Sequence, residues 1–67
     1  MNTFGARLKE LRKEKGWTVE ELAKEVHHAK SAVSYWERNQ KEPTLSAIVA
    51  LCKLFNVSAD YLLGLTD

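Results

Sequence analysis

The apolar residues of this 67-residue chain recur three or four positions apart along nearly its whole length, and no segment alternates apolar and polar residues with a period of two. A spacing of three and four residues places side chains on one face of an α-helix, whereas a half-buried strand requires period two. The pattern therefore predicts an all-α fold. A chain this short forms at most one domain, over residues 1–67, with a thin core.

Start and stop signals divide the chain into five helices, which predicts a compact five-helix bundle. Thr18 and Glu21 have the spacing of a capping box, and Thr44 and Ser58 are typical N-cap residues of two later helices. Residues 38–43 form a loop closed by the only proline. Because the third helix starts about three residues after the second ends, residues 18–38 have the spacing of a helix-turn-helix, although any compact corner between two helices would look alike. The positions expected to face inward on the fourth helix are Leu45, Ile48, Leu51, Cys52 and Phe55.

Composition excludes several functional classes. The chain is 45% hydrophobic and 28% charged, which is typical of a globular domain and not of a disordered one. No apolar run approaches the ~18 residues of a membrane span, so no membrane partner is expected. Cys52 is the single cysteine, which excludes an internal disulfide and a cysteine-built zinc site and favours a cytoplasmic location. No catalytic constellation, phosphate loop or cofactor motif is present, so we expect neither an enzyme nor a cofactor.

Two histidines and two charged residues call for a structural interpretation. His27 and His28 are adjacent and have no second cluster of ligands, so we expect an exposed turn and no metal site. Arg12 lies four residues after Leu8 and Glu37 lies beside Trp36, which puts both charges at the edge of the core. A lone charge there would be costly to desolvate, so we expect the two to pair and to fasten the first helix to the third.

The outward positions of the third helix carry no acidic residue, whereas the second helix is rich in glutamate. These outward positions are Lys30, Ser31, Ser34, Tyr35 and Arg38, and Lys41 follows in the loop. A helix that enters the DNA major groove needs polar side chains and no carboxylate facing the phosphates. The same pattern also fits an ordinary solvated face, so composition alone leaves both interpretations open.

Taken together, the motifs resemble those of the Cro/CI-type helix-turn-helix family (XRE family) of phage and bacterial repressors. The resemblance covers nearly the whole chain, and its most specific parts are Glu21-Leu22-Ala23, Trp36-Glu37-Arg38, Glu42-Pro43 and Asp60-Tyr61-Leu62-Leu63-Gly64. It implies a transcriptional regulator that acts as a repressor and whose third helix lies in the major groove of double-stranded operator DNA. It also implies a homodimer on a near-palindromic operator. The alternative from another class is a protein-interaction module built on the same bundle.

The resemblance assigns roles to individual residues. Positions that face base edges in the family fall on Lys30, Ser31 and Tyr35, with Ser34 beside them. Positions that contact phosphate fall near Val19, Arg38, Asn39 and Lys41. The family's ion pair between the first and third helices falls on Arg12 and Glu37, in agreement with the spacing argument. An apolar C-terminal cluster is the candidate dimer interface and consists of Tyr61, Leu62, Leu63 and Leu65.

Some positions depart from the family pattern. Val19 stands where members often have a glutamine that binds phosphate. Ala29 stands where a serine or threonine usually caps the recognition helix, and alanine offers no side-chain acceptor. His27, Asn39 and Asn56 stand where glycine is preferred, and these residues tolerate left-handed backbone angles better than most.

Overall fold

A computed structural model describes residues 2–65, and within this range the chain is helical with short connections. The helices are α1 Asn2–Glu14, α2 Val19–Val26, α3 Lys30–Glu37, α4 Leu45–Phe55 and α5 Ala59–Leu63. The predicted all-α, five-helix fold is thereby confirmed. Met1, Thr66 and Asp67, which the predicted domain includes, lie outside the described residues.

The predicted helix starts are present as hydrogen bonds. The hydroxyl of Thr18 accepts the N–H of Glu21 at 3.1 Å, and the carboxylate of Glu21 accepts the N–H of Thr18 at 2.8 Å, which completes the capping box. Thr44 and Ser58 cap α4 and α5 in the same way, each by accepting the N–H three residues later. Three of the helices end at residues with left-handed angles, namely His27, Asn56 and Gly64.

One hydrophobic core lies between the helices. Helix α1 packs on α3 and α5, and α2 packs on α3 and α4. Among the described side chains, those with the largest volume and almost no exposure are Phe4, Leu8, Leu22, Val33, Leu51 and Leu62. The core is closed beside α2 by Trp17, whose ring centroid lies 6.0 Å from that of Phe55.

The inward face of α4 differs from the predicted one at its first turn. Leu45 is 86% exposed, and Val49 on the next turn of the same side is 51% exposed, so the expectation for Leu45 is wrong. Ala47 is buried in place of Leu45, because α4 is rotated so that the small side chain of Ala47 faces the core. Cys52 packs against the core as a half-buried residue, and this burial raises the pKa of its thiol. Across residues 2–65, no helix combines the length and the apolar character that a membrane crossing requires.

Candidate nucleic-acid interface

Helices α2 and α3 form the predicted helix-turn-helix. His27 ends α2 with φ 60° and ψ 42°, and its N–H donates to carbonyl oxygens of the last turn of α2. Ala29 is the N-cap of α3 with extended angles, and no side chain caps this helix, as the sequence predicts. The corner between the helices therefore spans 27–29 and fixes the direction in which α3 leaves it.

The two histidines of this corner behave differently. His27 is exposed as expected, but His28 is half-buried. The ring of His28 meets that of Trp36 edge to face, with 5.0 Å between centroids. The expectation of an exposed turn is therefore wrong for His28, which packs on the buried face of α3. Edge-to-face contact of aromatic rings is favourable, and it helps to hold the corner against the helix.

An ion pair between α1 and α3 holds α3 on the side that faces the core. The guanidinium of Arg12 donates to both carboxylate oxygens of Glu37, from Nε at 2.7 Å and from Nη2 at 3.1 Å, and Nη1 donates to the carbonyl of Trp17 at 2.8 Å. The two side chains are only 11% and 8% exposed. The hydrogen bonds that Arg12 donates to Glu37 raise the pKa of Arg12 against the opposing effect of burial, and the negative charge of Glu37 adds to this rise. The predicted pair is thus formed in bidentate geometry.

A second contact joins α1 to the end of α3. The N–H of Gly5 donates to the side-chain oxygen of Asn39 at 3.1 Å, and the N–H of Asn39 donates to the carbonyl of Trp36 at 3.1 Å. Asn39 has φ 57°, the left-handed angle expected for it. A Cβ at Gly5 would collide with the carbonyl oxygen of Glu37, so glycine is needed for the close approach of the two helices. Asn39 is therefore engaged within the chain.

The face of α3 that points away from the core is accessible to solvent, and we call it the open face. Lys30 and Ser31 are exposed, and Ser34 and Tyr35 are half-buried. None of these four side chains is acidic, and the only carboxylate of the helix, on Glu37, is occupied by Arg12. The structure therefore places the four residues predicted to face bases on one helix.

Two positively charged side chains lie at the end of α3 and in the loop after it. Arg38 and Lys41 are exposed, and both lie over the ring of Tyr35, with the guanidinium carbon 5.2 Å and the ammonium nitrogen 4.9 Å from the ring centroid. Arg38 also donates from Nε to the carbonyl of Ser34 at 3.3 Å. The acids of α2 are exposed on another element and comprise Glu20, Glu21 and Glu25. The open face of α3 and the loop after it thus carry three exposed cations, Lys30, Arg38 and Lys41, against one exposed carboxylate, Glu42.

The C-terminal cluster is only partly available to a partner. Leu62 is 0% exposed, so its predicted role in a dimer interface is wrong, because the side chain belongs to the core of its own chain. Tyr61 and Leu63 are half-buried and pack on the core, whereas Leu65 is 70% exposed. Sequence reasoning missed Arg7, which donates to the carbonyl of Tyr61 and lies 4.4 Å from the centroid of its ring. This contact joins α1 to α5.

Val19 lies at the start of α2, where the family often has glutamine. Its side chain is half-buried and packs against the core. The side chain of a valine in this position has no group that donates a hydrogen bond to phosphate, in contrast to glutamine.

The sequence and the fold are both similar to those of known proteins. The profile of the helix-turn-helix family matches residues 8–62. The N-terminal DNA binding domain of SinR from Bacillus subtilis superimposes with a TM-score of 0.85 at 36% identity, over 94% of this chain and 93% of that one. The P22 c2 repressor protein, solved in complex with synthetic operator 9T, gives a TM-score of 0.83 at 36% identity, over 88% and 89% of the two chains.

Among proteins known by sequence, the uncharacterized HTH-type transcriptional regulator YobD of Bacillus subtilis (strain 168) is 46% identical over 61 residues. This match covers 91% of the present chain and 54% of YobD, so the chain spans about half the length of this relative. The motifs, the five-helix fold and these similarities agree with one another. The chain belongs to the Cro/CI-type helix-turn-helix family.

Proposed function

We propose that this chain binds double-stranded operator DNA in a sequence-specific way and regulates transcription, as a repressor, with α3 in the major groove. The observation that carries the proposal is the open, acid-free face of α3, which is followed by two exposed cations and held from behind by the Arg12–Glu37 pair. The similarity to a repressor solved with its operator supports it. A regulator of this kind, bacterial or from a phage, acts in the cytoplasm, because its operator DNA lies there.

Base contacts are assigned to the first turns of α3. Lys30 reads a guanine edge, because lysine prefers the O6 and N7 acceptors of guanine in the major groove. Ser31 contacts a neighbouring base, and the short side chain of Ser34 lets the helix approach closely. All three are polar and lie on the open face.

Phosphate contacts are assigned to Arg38 and Lys41, the exposed cations at the end of α3. Asn39 receives a different role from the one that the family resemblance implies. Its side-chain oxygen and its N–H are both engaged within the chain, so we assign it to bracing the loop against α1. The side chain of Val19 packs on the core and donates no hydrogen bond to phosphate.

The functional unit on DNA is a homodimer. The described part of the chain measures 28 × 23 × 20 Å and contains one recognition helix, so one chain serves one half-site. In two-fold dimers of this kind, the recognition helices sit about 34–36 Å apart, which matches half-sites one helical turn apart. Leu65, with the exposed edges of Tyr61 and Leu63, is the proposed contact between the copies. A footprint with a single unrepeated half-site, together with a monomer on DNA in sedimentation, would contradict the dimer.

The experiment that tests the function is the selection of bound duplexes from a random pool, followed by a salt titration. We expect an enriched near-palindromic site and an affinity that falls steeply with salt, because phosphate contacts release counterions. A module that docks on a protein through an apolar patch would show neither result.

Two matched variants test the assigned roles. Lys30→Ala should relax the preference at one base position of the selected site. Lys41→Ala should weaken binding to all duplexes alike and reduce the slope of log affinity against log salt by about 1. If Lys30→Ala lowered affinity uniformly without any change of preference, its base-reading role would be wrong.

A further inference from the structure

The ring of Tyr35 lies beside two positive charges at once. Arg38 follows three residues later and Lys41 six residues later, beyond the end of α3, yet both lie within about 5 Å of the ring centroid, at 5.2 and 4.9 Å. An aromatic face attracts cations through its quadrupole at such distances. The ring thus brings together two side chains from a helix end and from a loop.

Two like charges that share one ring repel each other. Glu42 is exposed and directly follows Lys41, but in the described part of the chain it forms no ion pair with either cation. Within residues 2–65 the one salt bridge is Arg12–Glu37, so neither Arg38 nor Lys41 is paired with an acid. The Nε group of Arg38 is further restrained by its hydrogen bond to the carbonyl of Ser34 at 3.3 Å. The arrangement keeps two cations close together and available for an anion from outside.

Tyr35 lies on a helix that is held firmly to the rest of the chain. It is half-buried on α3, next to Trp36, which is only 4% exposed, and Glu37, which is paired with Arg12. A ring on a fixed helix therefore sets the place of two long side chains that would otherwise sample many rotamers. Fixing such side chains before binding lowers the entropy lost on binding.

We propose that Tyr35 is a positioning residue for the phosphate contacts of Arg38 and Lys41, and not a reader of base edges. The inference rests on the proposed function and deepens it. It assigns Tyr35 to the sequence-independent part of DNA affinity, which depends on how many phosphates the cations neutralise. The property that matters is the aromatic face, so the hydroxyl of Tyr35 is dispensable.

The test compares Tyr35→Phe with Tyr35→Leu on the selected site and on a random duplex of equal length, after circular dichroism has shown that both variants are folded. Tyr35→Phe should bind both duplexes like the parent. Tyr35→Leu should weaken binding to both by the same factor of about 3–10, as expected when a long side chain that was held beforehand must be immobilised on binding. The preferred sequence should stay unchanged, and the salt slope should become shallower by up to about 1.

A second measurement shows whether Tyr35 acts through the loop. Lys41→Ala should weaken binding less in the Tyr35→Leu background than in the parent, because the lysine is no longer held in place. Effects that simply add would overturn the proposal. A shift of base preference in Tyr35→Leu, or an affinity equal to the parent's on both duplexes, would also overturn it and leave the proposed function intact. A parent chain that binds no duplex at all would overturn both.

Discussion

Removal of Glu37 tests the most consequential internal contact of the molecule. In Glu37→Ala the guanidinium of Arg12 keeps the carbonyl of Trp17 at 2.8 Å and loses both carboxylate contacts, while it remains almost buried. Breaking a buried ion pair on one side typically costs about 3–5 kcal/mol. Because the two side chains keep 11% and 8% exposure, we expect the lower end, about 3 kcal/mol.

Such a loss is large for a chain of 67 residues, whose free energy of unfolding is about 3–10 kcal/mol at the usual value per residue. At about 4–8 °C per kcal/mol for a domain of this size, the Tm of Glu37→Ala should fall by about 15 °C. Urea titration followed by circular dichroism measures the same difference. The matched control is Glu25→Ala, an exposed glutamate on α2, which should stay within about 0.5 kcal/mol of the parent.

The paired replacement Arg12→Met with Glu37→Leu decides the interpretation. It removes both charges and fills the space with apolar groups, so it should recover much of the stability lost in Glu37→Ala. If Glu37→Ala were no less stable than Glu25→Ala, both groups would be solvated in the folded chain, and the reasoning from a desolvated charge would be refuted.

Three further substitutions have defined outcomes in thermal melts. Ala29→Ser should raise the free energy of unfolding by about 1 kcal/mol, because Ala29 has N-cap angles but no side-chain acceptor. The control Ala29→Val also lacks a side-chain acceptor and should give no such gain. A serine variant no more stable than the parent would contradict this prediction. Gly5→Ala should lower the free energy of unfolding by about 1–3 kcal/mol, because the added Cβ overpacks against the backbone of Glu37. The same change in an open helix is stabilising. A rise in Tm would show that α1 can move away from α3 without cost. His27→Gly should raise the free energy of unfolding by about 1 kcal/mol, because His27 has φ 60°, a left-handed angle that glycine adopts without strain. An unchanged stability would mean that the His27 side chain makes contacts that compensate for the strain.

Much of the fold follows from local rules. The helix starts at Thr18, Thr44 and Ser58 depend on hydrogen bonds within four residues, so the sequence contains all the information they need. The Arg12–Glu37 pair is predictable for a different reason, because two charges at the edge of an apolar core have few other partners.

Contacts that depend on how helices are rotated against each other were not predictable. The exposure of Leu45 is decided by the orientation of α4 over the core, where the small Ala47 faces inward, and periodicity counts both residues as apolar. The contact of His28 with Trp36 requires the angle of the corner between α2 and α3. The bond from Gly5 to Asn39 joins residues 34 positions apart, and its one signal in the sequence is a glycine inside a helix. The DNA contacts stay predictions, because they involve atoms of a partner.

The two faces of α3 are under separate constraints, and this has a consequence for how operator preference can change. The side chains that hold the helix to the rest of the chain lie on its inner side or at its end, and they include Ala32, Val33, Trp36 and Glu37. Lys30 and Ser31 are exposed, and no hydrogen bond or ion pair within residues 2–65 involves their side chains. Substitutions at these two positions therefore have little effect on folding stability. New binding preferences can arise there by mutation without a compensating change elsewhere, and a library randomised at both positions should consist mostly of folded proteins.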